Sequence, residues 1–189
     1  MVIYPWEQQV SDWFASFPRD GALFEVMHLI SYPNPAMRVV IVVMFLAFCW
    51  RKRLQGIVTT MLALIAVGFG DLASRRLVKQ FIVRPRPHFV NQICQGSHCW
   101  GFVSSHMTNI CAFVTVFALY NPKHLRWGLP IIVLVAVSRL YLLDHYSLDV
   151  LGGAALGTAV GFVIFGAAKM FALLLQNKRI GRKRYDTRA

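Results

Sequence analysis

Three short segments of the chain carry side chains that can act on an anionic substrate. The first runs from Lys79 to Arg86, the second is Ser104-Ser105-His106, and the third extends from Ser138-Arg139 through His145 to Asp149. Lysine and arginine side chains surround phosphates in proteins, and hydroxyl and backbone N–H groups complete the hydrogen bonds. The three segments together therefore predict a phosphate-binding site.

Two histidines and one aspartate in these segments supply reacting groups for phosphate-ester cleavage. His145 precedes Asp149 by four residues, so on a helix that begins there the carboxylate meets the imidazole and fixes its tautomer. An oriented neutral imidazole is a competent nucleophile, and His106 can then protonate the departing oxygen. The residues predicted to hold the phosphate are Lys79, Arg86, Ser104, Ser105 and Arg139.

The elements that carry these residues are predicted to be membrane-spanning helices. Hydrophobic residues make up 57% of the 189 residues and charged residues 15%, whereas soluble domains carry about 25% charge. Apolar runs occur at about 36–50, 54–78, 102–120, 129–143 and 148–175. Because lipid offers the backbone no hydrogen-bond partner, each run should be a helix. The predicted fold is an all-α polytopic transmembrane bundle of about five spans.

Residues 1–34 are predicted to form N-terminal amphipathic helices ahead of a transmembrane domain at 35–175 and a basic tail at 176–189. Apolar side chains recur at helical spacing, with polar ones between them, at Trp6, Val10, Trp13, Phe14 and Phe17. This pattern suits a helix lying in the membrane interface. Packing on the bundle is an equally open alternative.

The basic residues predict which side of the membrane each segment faces. The formal charge is +12, from 20 Lys and Arg against 8 Asp and Glu. A soluble protein of this charge would suggest nucleic acid, but in a membrane chain the excess belongs to loops and helix ends, so no nucleic-acid partner is expected. Alternating spans group Arg51-Lys52-Arg53, the Lys123 loop and the tail on one side, which the positive-inside rule assigns to the cytoplasm. The three chemical segments then face outward.

Other residues have plainer interpretations. The glycines at 152, 153, 157 and 161 form one strip that lets helices approach closely. His28 and His124 are interpreted as packing residues, and Asp71 is expected to pair with Arg75 one turn later. Arg75, Arg76 and Arg84 are interpreted as juxtamembrane anchors.

Cys94 and Cys99 lie in the long outer loop between the first two segments. A bacterial periplasm would oxidise them, so a disulfide and two free thiols are equally open. A zinc site is disfavoured, because these thiols and His98 supply fewer than the usual four ligands.

The three segments resemble the signature of the type 2 phosphatidic acid phosphatases, which reads K-x6-RP, PSGH and SR-x5-H-x3-D. Lys79 and Arg86-Pro87 match the first part. The third part is matched with every spacing kept, by Ser138, Arg139, His145 and Asp149. In the second part Ser104 and His106 are retained, while Val103 and Ser105 replace the proline and the glycine. The resemblance covers the chain by motif from Lys79 to Asp149.

The resemblance implies an integral membrane lipid phosphatase that needs no metal or other cofactor. In that family the residue matching His145 takes the phosphoryl group, that matching Asp149 orients it, and that matching His106 protonates the leaving group. Family members act on polyprenyl diphosphates, phosphatidylglycerol phosphate, phosphatidic acid and lipid A phosphates. A small chain with an outward site favours an envelope lipid of the bacterial inner membrane, such as undecaprenyl diphosphate or phosphatidylglycerol phosphate.

Three alternatives to this function remain open at the level of sequence. The chain can be a lipid A phosphatase, or an enzyme that passes the phosphoryl group to another lipid. It can also be a non-catalytic phospholipid carrier or receptor. A carrier needs the cations but has little use for His106 and the pair of His145 with Asp149, so the histidines favour an enzyme.

Overall fold

The computed structural model describes residues 3–33, 35–87 and 99–186, and for residues 36–53 and 179–186 it describes the backbone alone. The helices are α1 (Pro5–Ala15), α2 (Gly21–Ser31), α3 (Pro35–Leu72), α4 (Lys79–Phe81), α5 (Ser105–Tyr120), α6 (Leu125–Tyr141) and α7 (Ser147–Asp186). A π-helical turn, Ala73–Val78, joins α3 to α4, and a 3-10 turn, Pro122–His124, precedes α6. Within the described ranges the only β pairing is an isolated bridge between Pro85 and Trp100. The predicted all-α fold class is confirmed.

Two helical stretches are long and apolar enough to cross a bilayer. They are Leu54–Phe81 with 28 residues and Ser147–Lys178 with 32, and a span needs roughly 20. Helices α2 and α5 are apolar but shorter. Large apolar side chains such as Phe162, Val163 and Phe171 are exposed on the outside of α7, as a lipid-facing surface would be. The predicted count of about five spans is not confirmed in the described part of the chain.

The two ends of helix α3 lie at the same end of the bundle. Tyr32, just before α3, has its ring centroid 6.0 Å from that of His106. Ser74, just after α3, donates a hydrogen bond of 3.0 Å to the hydroxyl of Ser105, which neighbours His106. The segments that precede and follow α3 therefore both reach the start of α5.

The second half of α3, residues 54–72, runs antiparallel to α5. The side chain of Gln55 accepts a hydrogen bond of 2.8 Å from Tyr120, at the end of α5 opposite to Ser105. Ser74, just after α3, contacts Ser105 at the start of α5. The side chains of Arg51-Lys52-Arg53, between the predicted apolar runs at 36–50 and 54–78, lie outside the described residues.

Helices α5 and α7 pack backbone against backbone along the glycine strip. A Cβ on Gly153 would lie 2.5 Å from the carbonyl oxygen of Ser104, and one on Gly157 would lie 2.1 Å from that of Thr108. A Cβ on Gly161 would meet Thr115 at 2.7 Å. Only glycine permits this approach. The predicted packing role of the strip is confirmed.

The same packing brings the site-bearing helix ends together. A core of Ala63, Ala66, Ala112, Val116 and Phe117 joins the second half of α3 to α5. The backbone N–H of Ser104 donates to the carbonyl of Asp149 at 3.0 Å, so the first turns of α5 and α7 are adjacent. The end of α3 and the first turns of α5 and α7 thus meet at one end of the bundle.

The N-terminal helices pack on the bundle at this same end. Helix α2 is joined to α6 by a hydrogen bond of 2.6 Å between the hydroxyls of Ser31 and Ser138. Helix α1 turns its polar face inward, because Glu7 and Ser11 are buried while Trp6 and Trp13 are exposed. Bundle packing, one of the two alternatives for this segment, is therefore observed, and the aromatic face remains available to an interface.

We expect Gly157→Ala to lower the apparent melting temperature of the detergent-purified protein. The added methyl group would collide with a backbone carbonyl that cannot rotate away, and such overpacking typically costs about 1–3 kcal/mol. The matched control is Gly166→Ala on the same helix, where an added Cβ has no neighbour within 4 Å. That variant should be unchanged or slightly more stable, because alanine favours helix. Equal melting temperatures for the two variants would contradict the packing described.

Candidate active site

A polar cavity of about 280 Å³ lies at the end of the bundle where α3, α5 and α7 meet. Its lining residues are Tyr32, Arg75, Lys79, Arg86, Ser105, His106, Arg139 and His145. Six of the eight predicted site residues are therefore in the wall of one cavity. The other two, Ser104 and Asp149, are fully buried and are not among the lining residues.

His145 and Asp149 form the pair that the four-residue spacing predicts. The ring Nδ1 of His145 lies 3.7 Å from Oδ2 of Asp149, at the first turn of α7, and both side chains are buried. Nδ1 has no hydrogen-bond partner at this distance. An approach of about 0.7 Å would bring the pair into hydrogen-bond range. The backbone N–H of Tyr146 also donates to Oδ2, at 2.9 Å, which holds the carboxylate in place.

The surroundings of His145 keep its ring neutral. The pKa of His145 is lowered to about 4, mainly by burial and also by the positive charges of Arg139 and Arg86, while the Asp149 carboxylate opposes this shift. A neutral imidazole retains the lone pair that a nucleophile needs. The ring is therefore in its reactive protonation state at neutral pH.

Arg139 and Arg86 share a carboxylate, Asp144, that the sequence-based prediction missed. Oδ2 of Asp144 lies 2.8 Å from Nη2 of Arg139, and Oδ1 lies 3.7 Å from Nη1 of Arg86. Tyr32 donates its hydroxyl to Oδ2 at 3.0 Å. The signal available in the sequence was the position of Asp144, directly before His145 and five residues after Arg139.

Both arginines retain donors for a substrate. Nε and Nη1 of Arg139 and Nε of Arg86 are buried and have no hydrogen-bond partner. Leaving a buried polar group unpaired costs free energy, so these donors are arranged to bind acceptor atoms from elsewhere. Burial lowers the pKa of Arg86, and the Asp144 carboxylate opposes this shift. Phosphate oxygens are suitable acceptors for such donors.

The second segment places its three residues at the start of α5. Ser104 is the N-cap, and its buried hydroxyl has no hydrogen-bond partner. The hydroxyl of Ser105 accepts from Ser74 and faces the cavity. His106 lies in the cavity wall beside the ring of Tyr32. The candidate acid, His106, thus lies in the same cavity as the candidate nucleophile.

Cationic side chains also come from the π-helical turn and from α4, where the first segment begins. Lys79 is buried at the cavity wall, while Arg76 is exposed, as an anchor would be. Arg75 pairs with Asp71 at 2.9 Å, as predicted. Contrary to the anchor interpretation, however, Arg75 also lines the cavity. A π turn shifts side chains around the helix axis, which sequence spacing alone does not reveal.

The interpretation of Arg84 as a juxtamembrane anchor is wrong. Its side chain is fully buried, with Nη1 2.6 Å from Oδ1 of Asp149 and Nη2 2.6 Å from Oε2 of Glu7. Burial lowers the pKa of Arg84, but hydrogen bonds and charges from Glu7 and Asp149 raise it more, so the guanidinium stays charged. The repeated Arg-Pro pair at 84–87 was a sequence feature that could have indicated a role for Arg84 in the site, whereas no feature of the sequence indicated one for Glu7.

The outer loop is only partly described. Residues 88–98, which include Cys94 and His98, lie outside the described residues. Cys99 is disulfide-bonded, and its pairing with Cys94 stays a prediction. Where side chains are described, no group of three His, Cys, Asp or Glu residues is placed to hold a metal ion.

Comparison with known proteins decides the family. The profile of the PAP2 superfamily matches residues 56–172, which is more than half of the chain. The chain belongs to the PAP2 superfamily. It is 33% identical to phosphatidylglycerophosphatase B of Bacillus subtilis over 132 residues, and 28% identical to undecaprenyl-diphosphatase BcrC of the same organism over 102 residues. These alignments cover 63% and 52% of this chain and 61% and 52% of the relatives, so the chain spans less than two thirds of either relative.

The fold of this PAP2 chain has a solved counterpart. A crystal structure described as the first transmembrane PAP2 type phosphatidylglycerolphosphate phosphatase, from Bacillus subtilis, matches with a TM-score of 0.62 and 28% identity. The match covers 87% of this chain and 85% of that one. The family resemblance identified from the motifs is therefore confirmed. All eight predicted site residues lie within the profile match, whereas Glu7 and Tyr32 precede it.

We expect the stability of the folded protein to fall as the pH is lowered from about 6.5 to 4. The pKa of His145 is lower in the folded state than its ordinary value of 6.5, so the unfolded chain binds more protons in this window. The effect is on the order of 3 kcal/mol in full. It should appear as a falling apparent melting temperature, with a shallower fall in His145→Asn. Identical pH profiles for the two proteins would contradict the buried neutral ring.

Proposed function

We propose that this PAP2 protein is an integral membrane lipid phosphatase that removes a phosphate from a phosphorylated or diphosphorylated envelope lipid. The observation that carries the proposal is the single cavity formed by three distant segments. It contains two histidines, one of them paired with a carboxylate, and four cationic side chains. Cations alone would serve a carrier, but the buried pair of histidine and aspartate is suited to covalent catalysis.

The chemistry takes two steps. His145 attacks the phosphorus, the bond from phosphorus to the lipid oxygen breaks, and His106 gives its proton to that oxygen. Asp149 stabilises the charge that develops on the attacking ring. A water molecule then gives a proton to His106 and attacks the phosphohistidine, which releases inorganic phosphate and restores the neutral ring. Lys79, Arg86 and Arg139 stabilise the phosphoryl oxygens in both steps.

Two substrates are supported by the relatives. Their names specify phosphatidylglycerol phosphate in one case and undecaprenyl diphosphate in the other. We propose one of these two lipids, with its head group in the polar cavity and its chains against the apolar outer surface of the helices. A lipid A phosphate remains the alternative within the same chemistry.

We further propose about five spans, with the active site facing the periplasm or exterior of a bacterial inner membrane. Asp149 and Lys178 lie 29 residues apart on α7, which corresponds to about 43 Å of helix. This exceeds the roughly 30 Å of a hydrocarbon core. If α7 spans, the site and the basic tail are on opposite sides, and the positive-inside rule assigns the tail to the cytoplasm.

The orientation can be tested with C-terminal reporter fusions in bacterial cells. A fluorescent protein that matures only in the cytoplasm should be bright when fused after residue 189, because the basic tail holds that end inside. Alkaline phosphatase, which needs an oxidising compartment, should be inactive at the same position. The reverse pattern would overturn the proposed orientation.

The activity can be tested by phosphate release from purified protein with chelator present. The substrates are undecaprenyl diphosphate, phosphatidylglycerol phosphate, phosphatidic acid and lipid A in detergent micelles. We expect one lipid to be preferred and His145→Ala to lose activity by at least about 10³-fold, because no nucleophile remains. The matched control is His124→Ala, whose ring hydrogen-bonds the Phe117 carbonyl away from the cavity, and it should retain activity.

Each other outcome names a different function. Binding of one lipid without release of phosphate would support the carrier. Labelled phosphate that appears on an added acceptor lipid, and not in water, would support the phosphotransferase. Full activity in a folded His145→Ala protein would overturn the phosphohistidine mechanism, and loss of activity with chelator would overturn its independence from metal.

A further inference from the structure

We infer that helix α1 is part of the catalytic apparatus and that Glu7 is a positioning residue for Asp149. This inference rests on the proposed phosphohistidine chemistry and adds to it a residue that lies far outside the family profile match at 56–172. Glu7 does not line the cavity. It acts through Arg84 and through the first turn of α7.

Glu7 is fully buried and both of its carboxylate oxygens are engaged. Oε2 lies 2.6 Å from Nη2 of Arg84 and also accepts from the backbone N–H of Tyr4 at 3.2 Å. Oε1 accepts from the backbone N–H of Leu148 at 3.1 Å. Leu148 is in the first turn of α7, where backbone N–H groups have no partner within the helix. The Glu7 carboxylate therefore holds both Arg84, which binds Asp149, and the first turn of α7, which contains Asp149.

These contacts determine which oxygen of Asp149 faces the nucleophile. Arg84 takes Oδ1 at 2.6 Å, so Oδ2 is left for the Tyr146 N–H and for Nδ1 of His145. Rotation of the carboxylate would give up the Arg84 contact. The side chain of Asp149 is thus held with Oδ2 toward the His145 ring, and Glu7 completes that arrangement.

The charges of the cluster point to the same role. Arg84 alone would neutralise Asp149, but Glu7 adds a second negative charge, so the buried cluster of Glu7, Arg84 and Asp149 carries a net charge of −1. His145 gains positive charge when it attacks phosphorus, and a negative cluster behind its ring favours that charge. The interaction is strong because the groups are buried, where screening by water is weak.

The orientation of α1 argues against a purely structural explanation. The aromatic face of α1, with Trp6 and Trp13 45% and 58% exposed, remains available to the membrane interface, so the contact with the bundle is made by the buried Glu7 and Ser11. Burying an ion cluster is costly, and apolar packing would attach a helix as well or better. The polar contact is therefore explained by what Glu7 does for Asp149.

The test compares Glu7→Gln with Asp12→Asn in otherwise intact protein. Both variants remove one negative charge from α1, but Asp12 is exposed, and its carboxylate bonds only to Gln8 among the contacts described. With phosphatidylglycerol phosphate in micelles, or undecaprenyl diphosphate if that lipid is preferred, we expect kcat to fall at least about tenfold in Glu7→Gln. KM and inhibition by inorganic phosphate should stay within about twofold, because the cavity cations are untouched. Asp12→Asn should match the wild type.

A pH profile separates positioning from loosening of the fold. Loss of the Glu7 charge should lower the pKa of His145 and move the acidic limb of kcat/KM to lower pH. A loosened site would admit water and move the limb the opposite way. In addition, the combined loss in Arg84→Met with Glu7→Gln should be smaller than the product of the two single losses, because Glu7 acts in part through Arg84.

The possible outcomes are distinct. Wild-type kcat in folded Glu7→Gln, or an acidic limb moved to higher pH, overturns the inference. If Glu7→Gln does not elute as folded protein, Glu7→Asp replaces it, because the shorter side chain withdraws the carboxylate from Arg84. A kcat reduced about threefold or more in Glu7→Asp supports positioning, and an unchanged kcat overturns it. If the wild type itself releases no phosphate, the proposed function fails, and this inference fails with it.

Discussion

The close approach of helices α5 and α7 is the constraint on which the site depends. Gly153 and Gly157 let the two backbones approach so closely that any Cβ at these positions would collide with a carbonyl of α5. This contact brings the backbone N–H of Ser104 to the carbonyl of Asp149. The turn with the proposed acid, His106, is thereby joined to the turn with the proposed nucleophile, His145. A wider helix spacing would separate the two groups that the chemistry needs together.

Electrostatic balance is the second constraint, because the cavity gathers cations where lipid and protein offer little solvation. Asp144 satisfies part of the charge on Arg139 and Arg86, while the cluster of Glu7 and Arg84 leaves Asp149 available to His145. Part of the positive charge of the cavity is thus neutralised, and unpaired donors remain for a substrate. This arrangement fits a site that binds an anion and then releases it.

Much of the site could be predicted from local spacing. His145 precedes Asp149 by four residues, and the two side chains meet although α7 begins only at Ser147. Asp71 and Arg75 pair for the same reason. The predictions for Arg84 and Arg75 failed because their partners are remote in sequence, or because a π turn changes the side-chain direction. The apolar runs at 36–50 and 54–78 could be predicted, but the contacts of Tyr32 with His106 and of Ser74 with Ser105 could not.

The sequence by itself determined the all-α class, the family and the identity of eight candidate site residues, because these follow from composition, helical period and motif spacing. Only the tertiary structure decided which other residues contact and position these eight. Glu7 meets Arg84 across 77 residues, and Tyr32 meets Asp144 across 112. No local pattern encodes such contacts, since they arise when helices pack and buried charges must find partners. The supporting carboxylates and the shape of the cavity are therefore properties of the folded bundle.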